Sequence, residues 1–477
     1  MKTVMSLVER LFELKKNGTT VRTEVIAGVT TFMTMAYILA VCPNIMGQAG
    51  VPSGGVFVAT VGAAVAGTLF MAFFANYPFA LAPGMGDLAF FTFSVVLGMG
   101  YSWQAALLAV FIDGVVFTAL SLTLVRESVF NAIPFSLKKA LAAGIGFFIC
   151  FIAMQGAGLV VAHPATLVQM VPFREIPFHS RGISAILAFV GTRVTGALLF
   201  HRVKAAILLG ILVTWGLGMI CQATGLYVPD PSVKCFSLYP SLTFAGIADS
   251  FAQFKETFGA IFTPSAWSRT VDGRLVGSGW SLVGTLDFLV VVISFLFLDL
   301  FNTIGTLIGA ALKGGFLTKE GRLPRLSGAL RADAVATVVG SVFGTATTTT
   351  YVESESGVLA GGRTGLTSVV TAALFLLSLL LAPLFLSLPA FATAPALIVV
   401  GTMMLSAATE IDFANPRESI PAFLTITAMA FTYSVADGIM WGVIGHAGVH
   451  LFSGRGREVH WVVYVLSALF IAKYALI

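Results

Sequence analysis

The stretches NYPFALAPGMG (Asn76–Gly86) and GTATTTTYVESESG (Gly344–Gly357) decide the fold. Each lies beside or within an otherwise apolar segment, yet each is rich in Gly, Pro or Thr, so that a helix there starts late. Proline lacks an amide hydrogen and pushes the residue before it out of helical geometry. The threonine run Thr347–Thr350 is β-branched and favours extended backbone. A span that turns helical only part-way directs free backbone N–H groups at a solute at membrane depth. Finding such a break once in each half of a chain points to a carrier built from two repeats.

Outward from these stretches, charge is scarce. Only 10% of the 477 residues are Asp, Glu, Lys or Arg, and 57% are hydrophobic; soluble domains are about a quarter charged. At a mean hydropathy of +0.94, a water-soluble globule would lack the polar surface to cover itself. The chain reads as an integral membrane protein. Between Ile26 and Val125 only Asp87 and Asp113 are charged, and between Thr364 and Thr409 nothing is. A crossing helix needs about 20 apolar residues. That rule places spans at 24–46, 55–75, 80–98, 102–124, 137–161, 182–200, 203–225, 285–311, 329–345, 351–362, 364–386, 394–409, 419–452 and 459–477. Residues 419–452 read either as one broken span or as a hairpin of two.

Residues 1–23 are basic and amphipathic, have no signal-peptide core, and are expected in the cytoplasm. Arg126, Lys138 and Lys139 follow the fourth span, Arg202 and Lys204 the sixth, and Lys313 to Arg331 the eighth, as the positive-inside rule requires. The polar segment 226–284 is expected outside. It separates 24–225 from 285–477, seven spans each, and an odd number per repeat makes the copies inverted. The expected fold is an all-α polytopic membrane protein of about 14 transmembrane segments in a 7+7 inverted repeat, with short extended stretches in the third and tenth spans. The net charge of +5 is spread over short loops, so no nucleic acid is implied. Four cysteines without paired spacing (Cys42, Cys150, Cys221, Cys235) exclude a disulfide or zinc framework.

Ionisable side chains at membrane depth cost roughly 3 kcal/mol on insertion scales and usually have a task. Glu353 follows the threonine run at the start of a half-helix, where the dipole stabilises a carboxylate that can accept N–H groups of a planar ligand. The plainer reading is a helix N-cap region at the membrane surface. Glu355, two positions on, is expected on the opposite helix face, toward solvent or a loop. Asp299, Asn302 and Thr306 share one face of the eighth span, lining a wet cavity or making a structural contact, for instance with Arg363. Asp87 follows Pro83, Gly84 and Gly86, and precedes Phe90 and Phe91, which could stack on an aromatic ligand. Asp113 and Asp437 read as structural. The sequence carries no phosphate-binding loop, voltage-sensing arginine repeat, metal cluster or potassium-filter motif; no metal and no cofactor are expected.

LAPGMG (Leu81–Gly86), FLDLFNTIGTLIG (Phe297–Gly309), TTTTYVESESGVLAGGRTGL (Thr347–Leu366) and FTYSVADGI (Phe431–Ile439) resemble the AzgA-type purine permeases, the adenine/guanine/hypoxanthine branch of the nucleobase–cation symporters. The resemblance implies a core and a gate domain, and inward carriage of a purine base with a proton. It also implies a base lying between the third and tenth spans, held by acids of the eighth and tenth, with Glu353 as the tenth-span acid. The chain departs from the family pattern at four places. Asp87-Leu88 stands where relatives read Leu-Asn, Asn302 where they carry an acid, and Glu355 at a position generally small.

The reading is secondary-active purine uptake by alternating access in the inner or plasma membrane, and the chain is not an enzyme. Glu353, Asn302, Asp87, Phe90, Phe91 and Thr350 are the expected substrate-binding residues, and Asp299 or Glu353 couples the proton. The rivals are a carrier of another planar or anionic solute, and an uncoupled channel or receptor. Which purine is carried, proton or sodium coupling, and monomer or homodimer stay open.

Overall fold

The computed structural model describes residues 9–121, 134–228, 244–316 and 323–476. Expectations resting on Arg126, on Cys235 and on the first eight residues fall outside that set.

Span 1 runs over Val21–Met35 and Ile38–Gln48, and span 2 over Ser53–Phe74. Span 3 opens with a strand, Leu81–Pro83, and becomes helical over Met85–Ala89 and Phe90–Gly98. Spans 4 to 7 are Trp103–Ser121, Phe135–Gly156, Ile183–Phe200 and Ala206–Ala223. Span 8, Leu286–Gly314, and span 9, Leu326–Phe343, lead to span 10, a strand Thr348–Thr350 followed by a helix of Ser354–Leu359. Span 11 covers Gly365–Leu386 and span 12 Ala390–Glu410.

The segment read as 419–452 is a hairpin of two helices, span 13 (Pro416–Phe431) and span 14 (Val435–Phe452). The turn has Tyr433 at φ 56°, and the Ser434 hydroxyl accepts from Asp437 N–H at 3.2 Å to start the second helix. Helix Trp461–Leu476, counted from sequence as the fourteenth span, is therefore an addition beyond it, packed on span 14.

Packing reveals the repeat. Span 4 lies on spans 8 and 9, and span 11 on spans 1 and 2; span 5 lies on spans 12, 13 and 14, and span 12 on spans 5, 6 and 7. Exchanging each span for the one seven places along converts either half of these statements into the other. Spans 1–4 and 8–11 form one group, the core, and spans 5–7 and 12–14 a second, the gate.

The two broken spans meet in the core. Their strands pair antiparallel, Leu81 with Thr350, Ala82 with Thr349 and Pro83 with Thr348. Gly84 N–H donates to the Thr347 carbonyl at 2.9 Å and Tyr351 N–H to that of Ala80 at 3.0 Å, so extended backbone inside the membrane has its donors paired. A Cβ at Gly84 would lie 2.2 Å from Asp87 Oδ2 and 2.9 Å from Thr349 Cγ2, so a larger residue there would displace the Asp87 carboxylate.

Loops on opposite faces also pair with one another. On one face Arg325 bonds Tyr77 Oη, the Ala75 carbonyl and Glu13. On the other, the hairpin of strands Ser268–Val271 and Arg274–Ser278 docks on the turn between spans 3 and 4, where Thr270 N–H donates to the Gly100 carbonyl and Arg269 pairs with Asp287.

Candidate functional site

The site grows from the strand crossing. Glu353 is the N-cap residue of the span 10 helix. One of its oxygens, Oε1, accepts the Tyr37 hydroxyl of span 1 at 2.7 Å. The residue lines a cleft of about 240 Å³ in which Thr34, Val352 and Ser356 of the core face Leu199, Val203 and Met403 of the gate. Glu355 lines the same cleft rather than the opposite side.

Asp87 is fully buried on the other half-helix, and its Oδ2 accepts from Asn302 Nδ2 of span 8 at 3.0 Å. Its Oδ1 has no hydrogen-bond partner among the described residues. Behind the strands lies a polar layer. Asp299 accepts from Thr303 at 3.2 Å and from Thr337 of span 9 at 3.3 Å. Asp333 of span 9 accepts from Thr350 N–H at 3.0 Å and from the Thr303 hydroxyl. Thr337 donates to the Thr348 carbonyl at 3.0 Å, and Thr303 and Thr349 hydroxyls meet at 3.0 Å. The seam expected on span 8 thus divides: Asn302 turns to span 3, Asp299 to span 9, and the Thr306 hydroxyl bonds back to its own helix.

The remaining expected residues sit as follows. Thr350 belongs to the layer around Asp333. Phe90 is fully buried with its ring edge-on to Phe295 at 4.7 Å, and Phe91 is fully buried in the main apolar cluster. Arg363 donates to the Gly314 carbonyl. Asp113 is fully buried on span 4, with both oxygens unpartnered among the described residues. Asp437 accepts from Tyr474 at 3.1 Å at the start of span 14, away from the crossing.

Sequence reasoning missed Tyr37 and Asp333. Asp333 lies near the start of the expected ninth span, 329–345, two residues from Arg331, and was not singled out. The available signal was Thr337, four residues on and so on the same helix face. Tyr37 had a weaker one: Thr34, three residues before it, makes a polar pair in an apolar helix.

The permease family model (Xan_ur_permease) matches residues 22–441. The chain belongs to that family. It is 41% identical over 476 residues to the guanine/hypoxanthine permease PbuG of Bacillus subtilis, covering 98% of this chain and 99% of that one. It is 37% identical over 475 residues to the adenine permease AdeP of Escherichia coli, covering 99% and 96%. In fold it is similar to the transmembrane domain of a cyanobacterium bicarbonate transporter, BicA, at a TM-score of 0.58 and 14% identity, over 88% of this chain and 97% of that one. The family resemblance carried by the motifs therefore holds. The chain is a multi-pass membrane permease of the purine nucleobase family with the core-and-gate inverted-repeat fold, and not an enzyme.

Proposed function

We propose that this permease takes up purine bases by alternating access with a proton as the coupling ion. The observation that carries the reading is Glu353, whose carboxylate stands at a core–gate cleft with one oxygen engaged by Tyr37. A neutral purine offers ring N–H donors and ring nitrogen acceptors in one plane; the second carboxylate oxygen accepts the former, and hydroxyls and half-helix N–H groups meet the latter. Relatives whose names specify adenine, guanine and hypoxanthine support this solute class. Coupling needs a group whose protonation biases the conformational balance, and Glu353 or Asp299 supplies it. Residues 1–23 lie in the cytoplasm, 24–225 and 285–452 form the repeats with helix Trp461–Leu476 added after the second, and 226–284 lie outside.

The test is uptake of labelled hypoxanthine and adenine in cells lacking their own permeases, with counterflow from a preloaded unlabelled base. Counterflow is expected because the site alternates; its absence, with uptake retained, would identify a channel. Glu353→Gln turns an acceptor oxygen into a donor facing a donor, a loss of about 2–4 kcal/mol at a dry site. Unchanged affinity in a well-folded Gln variant would remove Glu353 from the site.

A further inference from the structure

A cavity of about 770 Å³ opens in the gate, remote from the strand crossing, where spans 5 and 13 begin and span 14 ends. Phe135 of span 5, Arg417 and Glu418 of span 13, and His446 and His450 of span 14 line it. The turn after span 14 adds Arg455, Arg457, Glu458 and His460. Arg455 is paired with Glu458 at 3.4 Å. Arg417 and Arg457 have no carboxylate partner among the described residues.

His446 lies in the lining beside these arginines. It is 5% exposed, yet its Nδ1 has no hydrogen-bond partner among the described residues, and the His450 ring stands 4.1 Å away. A buried ring nitrogen without a partner is uncommon. Among the described residues no three His, Cys, Asp or Glu side chains converge as a metal site. The complement of two guanidinium groups without a carboxylate partner is an anion with several oxygens, and guanidinium matches phosphate best.

The rim identifies the source of that phosphate. Every segment that builds the cavity carries an exposed apolar side chain: Phe135 at 60%, Ile420 at 46%, Phe452 at 91% and Trp461 at 67% exposure. Exposed aromatic side chains at span ends mark the membrane interface, and basic pockets between spans at that depth take lipid headgroups. We propose that this cavity holds the phosphate headgroup of an anionic phospholipid, with the acyl chains lying along the exposed ends of spans 13 and 14.

The full chain, purified and reconstituted in nanodiscs with equal phosphatidylglycerol and phosphatidylcholine, tests this by native mass spectrometry of the lipid that stays bound. Phosphatidylglycerol is expected to be retained about tenfold over phosphatidylcholine. Arg417→Gln with Arg457→Gln should remove the preference. Arg174→Gln, on an exposed loop of the opposite face, should leave it intact. Arg417→Lys with Arg457→Lys keeps the charge without the fork and should keep part of it, which separates lost charge from misfolding. Equal retention of the two lipids, or an undiminished preference in the double Gln variant, overturns the proposal. Displacement of phosphatidylglycerol by millimolar inorganic phosphate would assign the cavity to a soluble anion and overturn it as well.

Discussion

Each half-helix carries an acid near its start, and each acid is held by the first span of the opposite repeat. Tyr37 of span 1 donates to Glu353, and Asn302 of span 8 donates to Asp87. Here an amide on span 8 satisfies an acid on span 3. The 3.0 Å contact makes the exchange testable. Asn302→Asp alone sets two carboxyl groups against each other and should lower both melting temperature and uptake. Asp87→Asn alone leaves two amides and should lose coupled uptake. The double variant rebuilds the amide–acid pair in reverse and should recover part of both. A coupling energy of about 0.5–3 kcal/mol is expected for residues in direct contact; additive single effects in a thermal-stability and uptake cycle would refute the pairing.

At the scale of elements, the strand pair is the unusual feature, because two three-residue strands cannot hold themselves open in an apolar medium. Span 9 holds them: Thr337 takes the Thr348 carbonyl and N–H, and Asp333 takes Thr350 N–H. Asp333→Ala strands that N–H and the hydroxyls beside it, at about 1–3 kcal/mol for each buried group left unsatisfied. The variant should melt lower in detergent and lose uptake. Asp333→Asn keeps a carbonyl acceptor and should restore stability more than uptake. Equal stability of wild type and the Ala variant would show that the strands hold without span 9.

For the whole molecule, transport by alternating access requires the core to move against the gate. A hydrogen bond joins them directly: Val435 N–H of span 14 donates to the Ser94 hydroxyl of span 3 at 3.1 Å, beside Tyr433, whose ring lies edge-on to Phe93 of the core at 5.7 Å and Phe148 of the gate at 5.4 Å. Cysteines at Leu97 of the core and Thr432 of the gate, exposed positions that line one cavity beside this contact, bridged by a bifunctional thiol reagent with a cleavable disulfide, should arrest uptake, and reductive release should restore it. Undiminished uptake by the bridged protein would mean that this contact does not part. Orientation is tested on exposed positions. Ser250 is 2% exposed and unsuitable, whereas Asp272 and Lys204 are exposed on opposite faces. In intact cells an impermeant thiol reagent should label Asp272→Cys and spare Lys204→Cys; the reverse would invert the topology.

The sequence by itself determined the membrane class, the positions of most spans and the two breaks, because apolar length and the chemistry of Pro, Gly and β-branched residues act locally. Glu353 was legible for the same reason, as an acid at the start of a broken helix. Residues 419–452 were not, since a three-residue turn between helices leaves the apolar pattern nearly continuous. Nor was the partnership of Asp87 with Asn302, 215 positions apart, or of Tyr37 with Glu353, 316 apart. Phe90 and Phe91 read as free aromatic faces and are fully buried in the core. Such choices depend on which helix faces which, and only the packing of one repeat against its inverted copy decides that.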